Sequence, residues 1–225
     1  MNAQGKRSGE TAREYAYRMI REQVISLELK PGEAFNDMEF AAKIGVSRTP
    51  VREAVIQLSE ESRIIEIFPQ RGMRIAPIDV ELVEEARSLR VLLEKQIAGM
   101  CCEMATEEDI KWLQENVGLQ EFYMENSRPD MVMQLDDEMH HKLFMICHRE
   151  LTYGMCQKLA IHYDRIRSLS VNTVKDNTII EDHRKIIQFI AEHKKENAMA
   201  QMEKHLSRWQ LNEGKFRQEF PDYFK

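Results

Sequence analysis

The chain has 225 residues, of which 43% are hydrophobic and 31% are charged, with a net charge of −6. This length is large for one domain and comfortable for two. No apolar run approaches the roughly 18 to 20 residues that span a bilayer, and the N-terminus lacks the apolar core of a signal peptide, so we expect a cytoplasmic protein without a membrane segment. The four cysteines show no paired metal spacing such as C-x-x-C, and we expect buried thiols.

Charge divides the chain into two parts. Residues 1–77 contain 12 Lys and Arg against 11 Asp and Glu, whereas residues 78–225 contain 20 against 27. Only the first part therefore tolerates a polyanion such as DNA. Residues 1–10 are polar and predict a disordered tail. We predict two domains, at residues 11–77 and 78–225.

The pattern of residues 11–77 predicts three helices. Apolar residues from Tyr17 to Leu27 indicate the first helix, which Pro31-Gly32 ends. Asn36 or Asp37 caps a second helix, Met38 to Ile44, which ends at Gly45. The third helix follows after this tight glycine turn, as in a helix-turn-helix.

The third helix has the features of a DNA recognition helix. The Ser47 hydroxyl can cap its first turn, where Pro50 is tolerated. Val51, Ala54, Val55 and Leu58 form a core stripe. Arg48 and Arg52, one turn apart, then project away from the core. They are either solvated surface charges, as most helix arginines are, or groups that hold guanine edges or phosphates.

Two short strands follow the third helix. Ile64, Ile65 and Ile67 lie before the loop 68–72, and Met73 and Ile75 lie after it. This pattern predicts a β-hairpin wing with Arg71 at its tip, where phosphate contact is the favoured role.

Residues 11–77 resemble the winged helix-turn-helix of the GntR-type bacterial transcription regulators. The resemblance rests on segments 29–33, 45–54 and 70–72. It implies double-stranded operator DNA as partner and these contact residues: Ser47, Arg48, Thr49, Arg52, Arg71 and Gly72. Two departures are Glu61-Ser62, where the family usually has Glu-Gly, and Met38, where some relatives carry a DNA-contacting arginine. Because such proteins commonly read two half-sites, we expect a homodimer.

Residues 78–225 have helical periodicity and almost no strand signal. Six helices are predicted, near residues 83–100, 107–119, 131–147, 152–170, 179–193 and 198–216. The fold class is therefore mainly α, with an N-terminal winged helix-turn-helix and a C-terminal helical bundle.

One carboxylate and several imidazoles in this bundle have metal-ligand chemistry. Asp136 and His140 are four residues apart and share a helix face, and His183 and His205 lie on two later predicted helices. These four side chains can form a ligand set for a divalent metal such as zinc, nickel or manganese. The alternative is that they are ordinary surface or core residues.

Residues 78–220 resemble the C-terminal ligand-binding (FCD) domain of the FadR subgroup, whose metal-binding branch is marked by Asp-x-x-x-His followed by two separate histidines. This resemblance assigns the metal to Asp136, His140, His183 and His205. It also places Arg90 in an Arg-x-x-Leu-Glu signature, where an arginine of relatives faces the cavity and binds a carboxylate. The alternative for Arg90 is a surface pair with Glu94.

These observations predict a ligand-responsive bacterial transcription regulator, controlled by a small organic acid or sugar acid at a metal-containing site. A metal-dependent enzyme that uses the same four residues is the alternative, because such a site can also activate water. No H-E-x-x-H-like general base supports it, and a DNA-reading module is an odd appendage for an enzyme. A third interpretation is that the bundle is only a dimerisation scaffold.

Overall fold

A computed structural model of the protein describes residues 5–173 and 178–225, which form two compact units. The first unit contains the described part of Met1–Val80 together with Arg217–Lys225, and the second is Glu81–Phe216. The chain is mainly α-helical with three short strands in the first unit, so the predicted fold class is confirmed. The predicted tail lies partly outside the described residues, which begin at Gly5, and Glu10 within it pairs with Arg18.

Three helices of the first unit have clear local causes. Helix α1 is Ala12–Ile25, and it begins with a capping box between Thr11 and Glu14. Helix α2 is Asp37–Ile44, and the Asn36 side chain accepts hydrogen bonds from its first amides. Gly45 ends α2 with φ of 73°, a conformation that favours glycine. Helix α3 is Arg48–Ser62.

The core of this unit lies where α3 packs on α1 and α2. The predicted stripe of Val51, Ala54, Val55 and Leu58 is fully buried. The prediction that Leu27 belongs to the first helix is wrong. Its φ of 62° is left-handed, and α1 has already ended at Ile25.

An antiparallel sheet of strand order β1-β3-β2 completes the winged helix-turn-helix. The strands are β1 (Ala34–Phe35), β2 (Ile65–Phe68) and β3 (Gly72–Ile75), and Ile65 lies opposite Ile75. The hairpin of β2 and β3 is the predicted wing. We did not predict β1, because a two-residue strand is too short to show an alternating pattern.

The chain end joins the first unit, although the sequence placed it in the helical domain. The Ile78 amide donates to the Tyr223 carbonyl at 2.6 Å, and the Lys225 amide donates to the Ile78 carbonyl at 3.0 Å. Lys225 Nζ also lies 2.8 Å from a carboxylate oxygen of Asp79. Pairing between residues so far apart in sequence leaves no local signal.

The second unit is a helical bundle, as predicted. Its helices are α4 (Val80–Met104), α5 (Glu107–Glu125), α6 (Pro129–Ile146), α7 (Glu150–Thr173), α8 (Thr178–Ala191) and α9 (Lys195–Leu206), and α10 (Glu213–Glu219) follows. The single helix predicted over 198–216 is wrong. It is divided into α9, a 3-10 helix at Arg208–Leu211, and α10.

Apolar side chains from α4, α5, α6, α8 and α9 form the core of the bundle. All four cysteines are free and buried, as expected. Within the described ranges, no helix combines the length and apolar character needed to cross a membrane.

Candidate DNA-reading surface and metal centre

The six residues assigned to DNA contact are all exposed on the first unit: Ser47, Arg48, Thr49, Arg52, Arg71 and Gly72. Gly45 and the short link to Ser47 turn the chain from α2 into α3, which presents the start of α3 to solvent. The start of α3 and the wing tip are therefore available to an external partner.

Ser47 occupies the N-cap position of α3 with extended backbone, but its hydroxyl makes no capping hydrogen bond. The prediction of a hydroxyl cap is wrong, although the predicted start of the helix is right. The positive end of α3 and an uncommitted hydroxyl suit a contact with phosphate oxygen.

Arg48 and Arg52 share the carboxylate of Asp37, which the sequence analysis considered only as a helix cap. Arg48 Nε lies 2.9 Å from Asp37 Oδ1, and the Arg52 NH1 amino group lies 3.3 Å from Asp37 Oδ2. The two arginine side chains are 62% and 46% exposed, whereas the Asp37 side chain is 4% exposed. The sequence signal for this contact was an acidic residue, Asp37, next to the helix cap Asn36.

The wing tip is a tight turn in which the Arg71 amide donates to the Phe68 carbonyl at 3.0 Å. Gln70 and Gly72 have φ of 62° and 104°, and Gly72 suits this conformation because it has no Cβ. Arg74 on β3 pairs with Glu66 on β2 and lies over the Phe68 ring. The backbone thus holds Arg71 at the exposed end of the hairpin.

The four predicted metal ligands come together in the second unit. Asp136 and His140 lie on α6, His183 on α8 and His205 on α9, and one ligand atom from each lies within 4.8 Å of all the others. His183 Nε2 is 3.1 Å from Asp136 Oδ1 and 3.3 Å from His205 Nε2. Three helices therefore direct one carboxylate and three imidazoles to a single point.

Two further side chains lie against these imidazoles. Gln120 on α5 donates to Asn116, which leaves its Oε1 to accept from His183 Nδ1 at 2.8 Å. His183 Nε2 then carries the lone pair that a metal needs. Glu94 Oε2 lies 2.5 Å from His140 Nδ1, within ion-pair distance, but neither of these two atoms makes a hydrogen bond to the described residues.

The sequence analysis missed Gln120 as a functional residue. The signal was present, because Asn116 and Gln120 share the buried face of α5 with Leu113 and Val117. Polar residues at core positions of an amphipathic helix need partners, and these can belong to a site.

The protonation states suit metal ligation. Burial raises the pKa of Asp136, but the Arg167 guanidinium and the nearby imidazoles outweigh this effect and hold the pKa well below its usual range. Burial lowers the pKa of His183, although Asp136 opposes it. Burial and the two neighbouring imidazoles hold the pKa of His205 well below its usual range. An ionised carboxylate therefore faces two histidines that favour their neutral forms.

Arg167 on α7 places a positive charge beside the cluster, with 12% of its side chain exposed, and no sequence pattern indicated this contact. Its NH2 group contacts Asp136 and lies 2.8 Å from Asp137, and its NH1 group lies 2.7 Å from Asp164. These three carboxylates raise its pKa well above the usual range against the effect of burial.

Arg90 points into the bundle rather than to the surface. Its Nε lies 2.6 Å from Glu94 Oε1, and its guanidinium lies 5.2 Å from the centre of the Tyr163 ring. The Arg90–Glu94 pair that we considered at the surface exists, but it is buried.

The donor set fits a divalent metal. His140 Nε2 and His205 Nδ1 are buried and have no hydrogen-bond partner among the described residues. An unpartnered buried nitrogen is costly, and a metal ion at His140 Nε2 would remove that cost. Three imidazoles with one carboxylate suit zinc, nickel or manganese.

Two family profiles match the chain. "Bacterial regulatory proteins, gntR family" covers residues 12–75, and "FCD domain" covers residues 85–208. The first match lies within the first unit, and the second match lies within the helical bundle.

Curated relatives match along most of their length. The HTH-type transcriptional repressor RspR of Escherichia coli K12 is 28% identical over 209 residues, which are 92% of this chain and 91% of the relative. An HTH-type transcriptional regulator from an unstable DNA locus of Streptomyces ambofaciens is 30% identical, with 88% and 84% of the two chains covered.

Solved structures share the fold. E. coli McbR/YncC superposes with a TM-score of 0.78 at 17% identity, over 93% of this chain and 99% of that one. A GntR regulator from Rhodococcus sp. RHA1 gives 0.72 at 16% identity, over 89% and 96%. The family profile of residues 12–75 and the curated relatives are those of transcription regulators and not of enzymes, so the metalloenzyme alternative is set aside. The chain belongs to the GntR family of bacterial DNA-binding transcription regulators and carries an FCD ligand-binding domain.

Proposed function

We propose that the protein changes its operator affinity in response to a small carboxylate that binds at a metal-containing site in the helical bundle. The observation that carries this proposal is the convergence of Asp136, His140, His183 and His205 from three helices, with ligand atoms within 4.8 Å of one another. A site that ties three helices together can alter their arrangement when its occupancy changes.

The metal would be held by Asp136 and the three histidines, with zinc, nickel and manganese as the candidates. Gln120 orients His183 through a hydrogen bond at Nδ1, and the Glu94 carboxylate lies beside Nδ1 of His140. When bound, the metal supplies positive charge and open coordination positions for an anion.

The effector would be a small organic acid or a sugar acid. Arg90 uses its Nε for Glu94, so its terminal amino groups can bind a carboxylate bidentately. Arg167 adds a second positive charge in the same network, and both arginines are already paired with carboxylates. A bound divalent metal would therefore supply the additional positive charge that favours an anion over a neutral molecule.

On the DNA side, we assign base or phosphate contacts to Arg48 and Arg52, and supporting contacts to Ser47, Thr49, Arg71 and Gly72. Their exposure at the start of α3 and at the wing supports this assignment. Arg52→Ala should weaken operator binding by about 1–3 kcal/mol with an unchanged circular dichroism spectrum. Unchanged affinity in both Arg52→Ala and Arg48→Ala would contradict it.

We further propose a homodimer in the cytoplasm, where operator DNA is found. Leu151, Met155 and Leu159 lie one turn apart on α7 and are 89%, 73% and 39% exposed, which supports an apolar interface on the bundle. Sedimentation should show a dimer at micromolar concentration. A monomer both free and on DNA would contradict the proposal.

The central experiment measures metal content and operator binding together. Wild type should contain stoichiometric metal, or regain it from zinc, nickel or manganese, and His183→Ala should not. The control is His148→Asn, which removes an exposed imidazole outside the cluster and suits the left-handed backbone there.

A panel of sugar acids and short organic acids then tests the coupling. At least one acid should change operator affinity in wild type and in His148→Asn, but not in His183→Ala. Metal-free wild type that cannot be reloaded would overturn the metal proposal. An equal effector response in His183→Ala would overturn the coupling.

A further inference from the structure

Asp37 is a buried acidic residue directly beside the proposed DNA-reading arginines. It is the first residue of α2, and its carboxylate accepts one hydrogen bond per oxygen, from Arg48 on one side and from Arg52 on the other. Both arginines come from α3, and both remain largely exposed. One buried carboxylate therefore holds two long, exposed side chains at the start of the recognition helix.

The contacts leave each arginine able to bind DNA at the same time. A guanidinium has five N–H donors in a planar fork. Arg48 uses its Nε, so both of its terminal amino groups remain for a guanine edge or a phosphate. Arg52 uses only its NH1 group, and the same group lies 3.6 Å from Met73 Sδ on the wing. Asp37 thus restrains both arginines and still leaves each of them at least two other donor nitrogens for a base edge or a phosphate.

A purely structural role for Asp37 is the competing explanation. An acidic residue in the first turn of a helix interacts favourably with the helix dipole, and the two ion pairs join α2 to α3. Such a role predicts a loss of stability when Asp37 is removed. It predicts no change in the preference of the protein for one DNA sequence over another.

We propose that Asp37 is a positioning residue that sets the sequence specificity of DNA binding by fixing the orientations of Arg48 and Arg52. The proposal rests on the DNA contacts assigned to these arginines under the proposed function. A fixed guanidinium loses less conformational freedom when it binds a base edge, so the correct sequence gains most from it. The negative charge of Asp37 repels phosphates on every sequence, so it does not favour DNA in general.

The test compares Asp37→Asn with wild type in the full-length protein. A duplex selected by wild type from a random library serves as operator, and a scrambled duplex of the same length serves as non-specific DNA. In Asp37→Asn, operator affinity should fall at least about 10-fold. This is the discrimination that a single bidentate contact to a base provides. Affinity for the scrambled duplex should stay the same or rise, because a negative charge has been removed.

Two further variants separate geometry from charge. Asp37→Glu keeps the charge and should retain more of the specificity ratio than Asp37→Asn. Glu39→Gln removes an exposed charge from the same first turn of α2, and it should leave the ratio unchanged. Thermal melting of each variant reports any structural loss.

An unchanged ratio of operator to scrambled affinity in Asp37→Asn would overturn the proposal, whether or not the melting temperature falls. An increase in operator affinity that exceeds the increase for scrambled DNA would also overturn it, since Asp37 would then be restraining the arginines from binding. Arg48→Ala and Arg52→Ala distinguish failure of the proposed DNA contacts from failure of the role proposed for Asp37. If they leave both affinities unchanged, the proposed DNA contacts fail. If they weaken operator binding while Asp37→Asn keeps the ratio, only the role of Asp37 fails.

Discussion

Both units contain a buried aspartate held by arginine. In the first unit the arginines lie at the surface, and in the second the arginine lies largely in the interior. Asp37 in the winged helix-turn-helix holds two exposed arginines, whereas Asp136 in the bundle is held by Arg167, whose side chain is only 12% exposed. Outward arginines keep donors for a macromolecular anion that arrives from solvent. An inward arginine neutralises buried carboxylates and can interact only with a ligand small enough to enter the bundle.

The comparison also separates two kinds of energetic contribution. Exposed ion pairs are typically worth about 0–1 kcal/mol, whereas removing one partner of a buried pair costs about 3–5 kcal/mol. We therefore expect variants of the bundle network to change stability, and variants of the surface arginines to change DNA binding.

The largest expected effect is in Arg167→Met. It leaves Asp136, Asp137 and Asp164 without their shared cation, and it should lower the free energy of unfolding of the bundle by about 3–5 kcal/mol. Urea unfolding followed by tryptophan fluorescence measures this, because Trp112 and Trp209 both lie within Glu81–Phe216.

The matched control is Arg128→Gln, which removes an exposed partner of Asp130 on the same unit. It should change the free energy of unfolding by no more than about 1 kcal/mol. Equal losses in the two variants would remove the distinction between inward and outward arginines.

The next effect concerns the orientation of His183 by Gln120. Gln120→Leu removes the acceptor for His183 Nδ1, and it should weaken metal binding by roughly 10–100-fold. Competition with a chromogenic chelator measures the affinity. Gln114→Leu changes an exposed glutamine on the same helix, so it should bind metal as wild type does.

Smaller effects are expected at two helix starts of the first unit, where only one of the two capping residues makes a capping hydrogen bond. Thr11→Ala breaks the capping box of α1 and should cost about 1 kcal/mol of stability. Ser47→Ala removes no capping hydrogen bond, so its cost should stay within about 0.5 kcal/mol. Amide hydrogen exchange in α1 and α3 distinguishes the two. A larger loss in Ser47→Ala would show that its hydroxyl caps α3 in solution.

The smallest effect is expected at the wing. Arg71→Ala should reduce the slope of log affinity for the operator against log salt by about 1, with little change in sequence preference, because a phosphate contact carries no sequence information. Arg13→Ala on α1 removes a charge of the same sign from an exposed position outside the DNA-reading surface. Equal slopes in Arg71→Ala and wild type would exclude a phosphate contact at Arg71.

The sequence by itself determined the parts of the protein that depend on near neighbours. The turn at Gly45, the buried stripe of α3 and the wing tip at Arg71 are encoded within a few residues, and their outcome agrees with the pattern. The spacing of Asp136 and His140 placed both side chains on one face of α6 in the same way. Family resemblance added His183 and His205, which spacing alone could not join to the pair.

Only the tertiary structure decided which distant side chains meet. Gln120, Glu94 and Arg167 lie on α5, α4 and α7, and each acts on the cluster through contacts between helices. The return of the chain end to Ile78 and the joining of Asp37 to Arg48 and Arg52 are of the same kind. Helical periodicity specifies which face of a helix is buried, but it does not specify what lies opposite that face. Packing decides that, because buried polar groups must find partners wherever the folded chain places them.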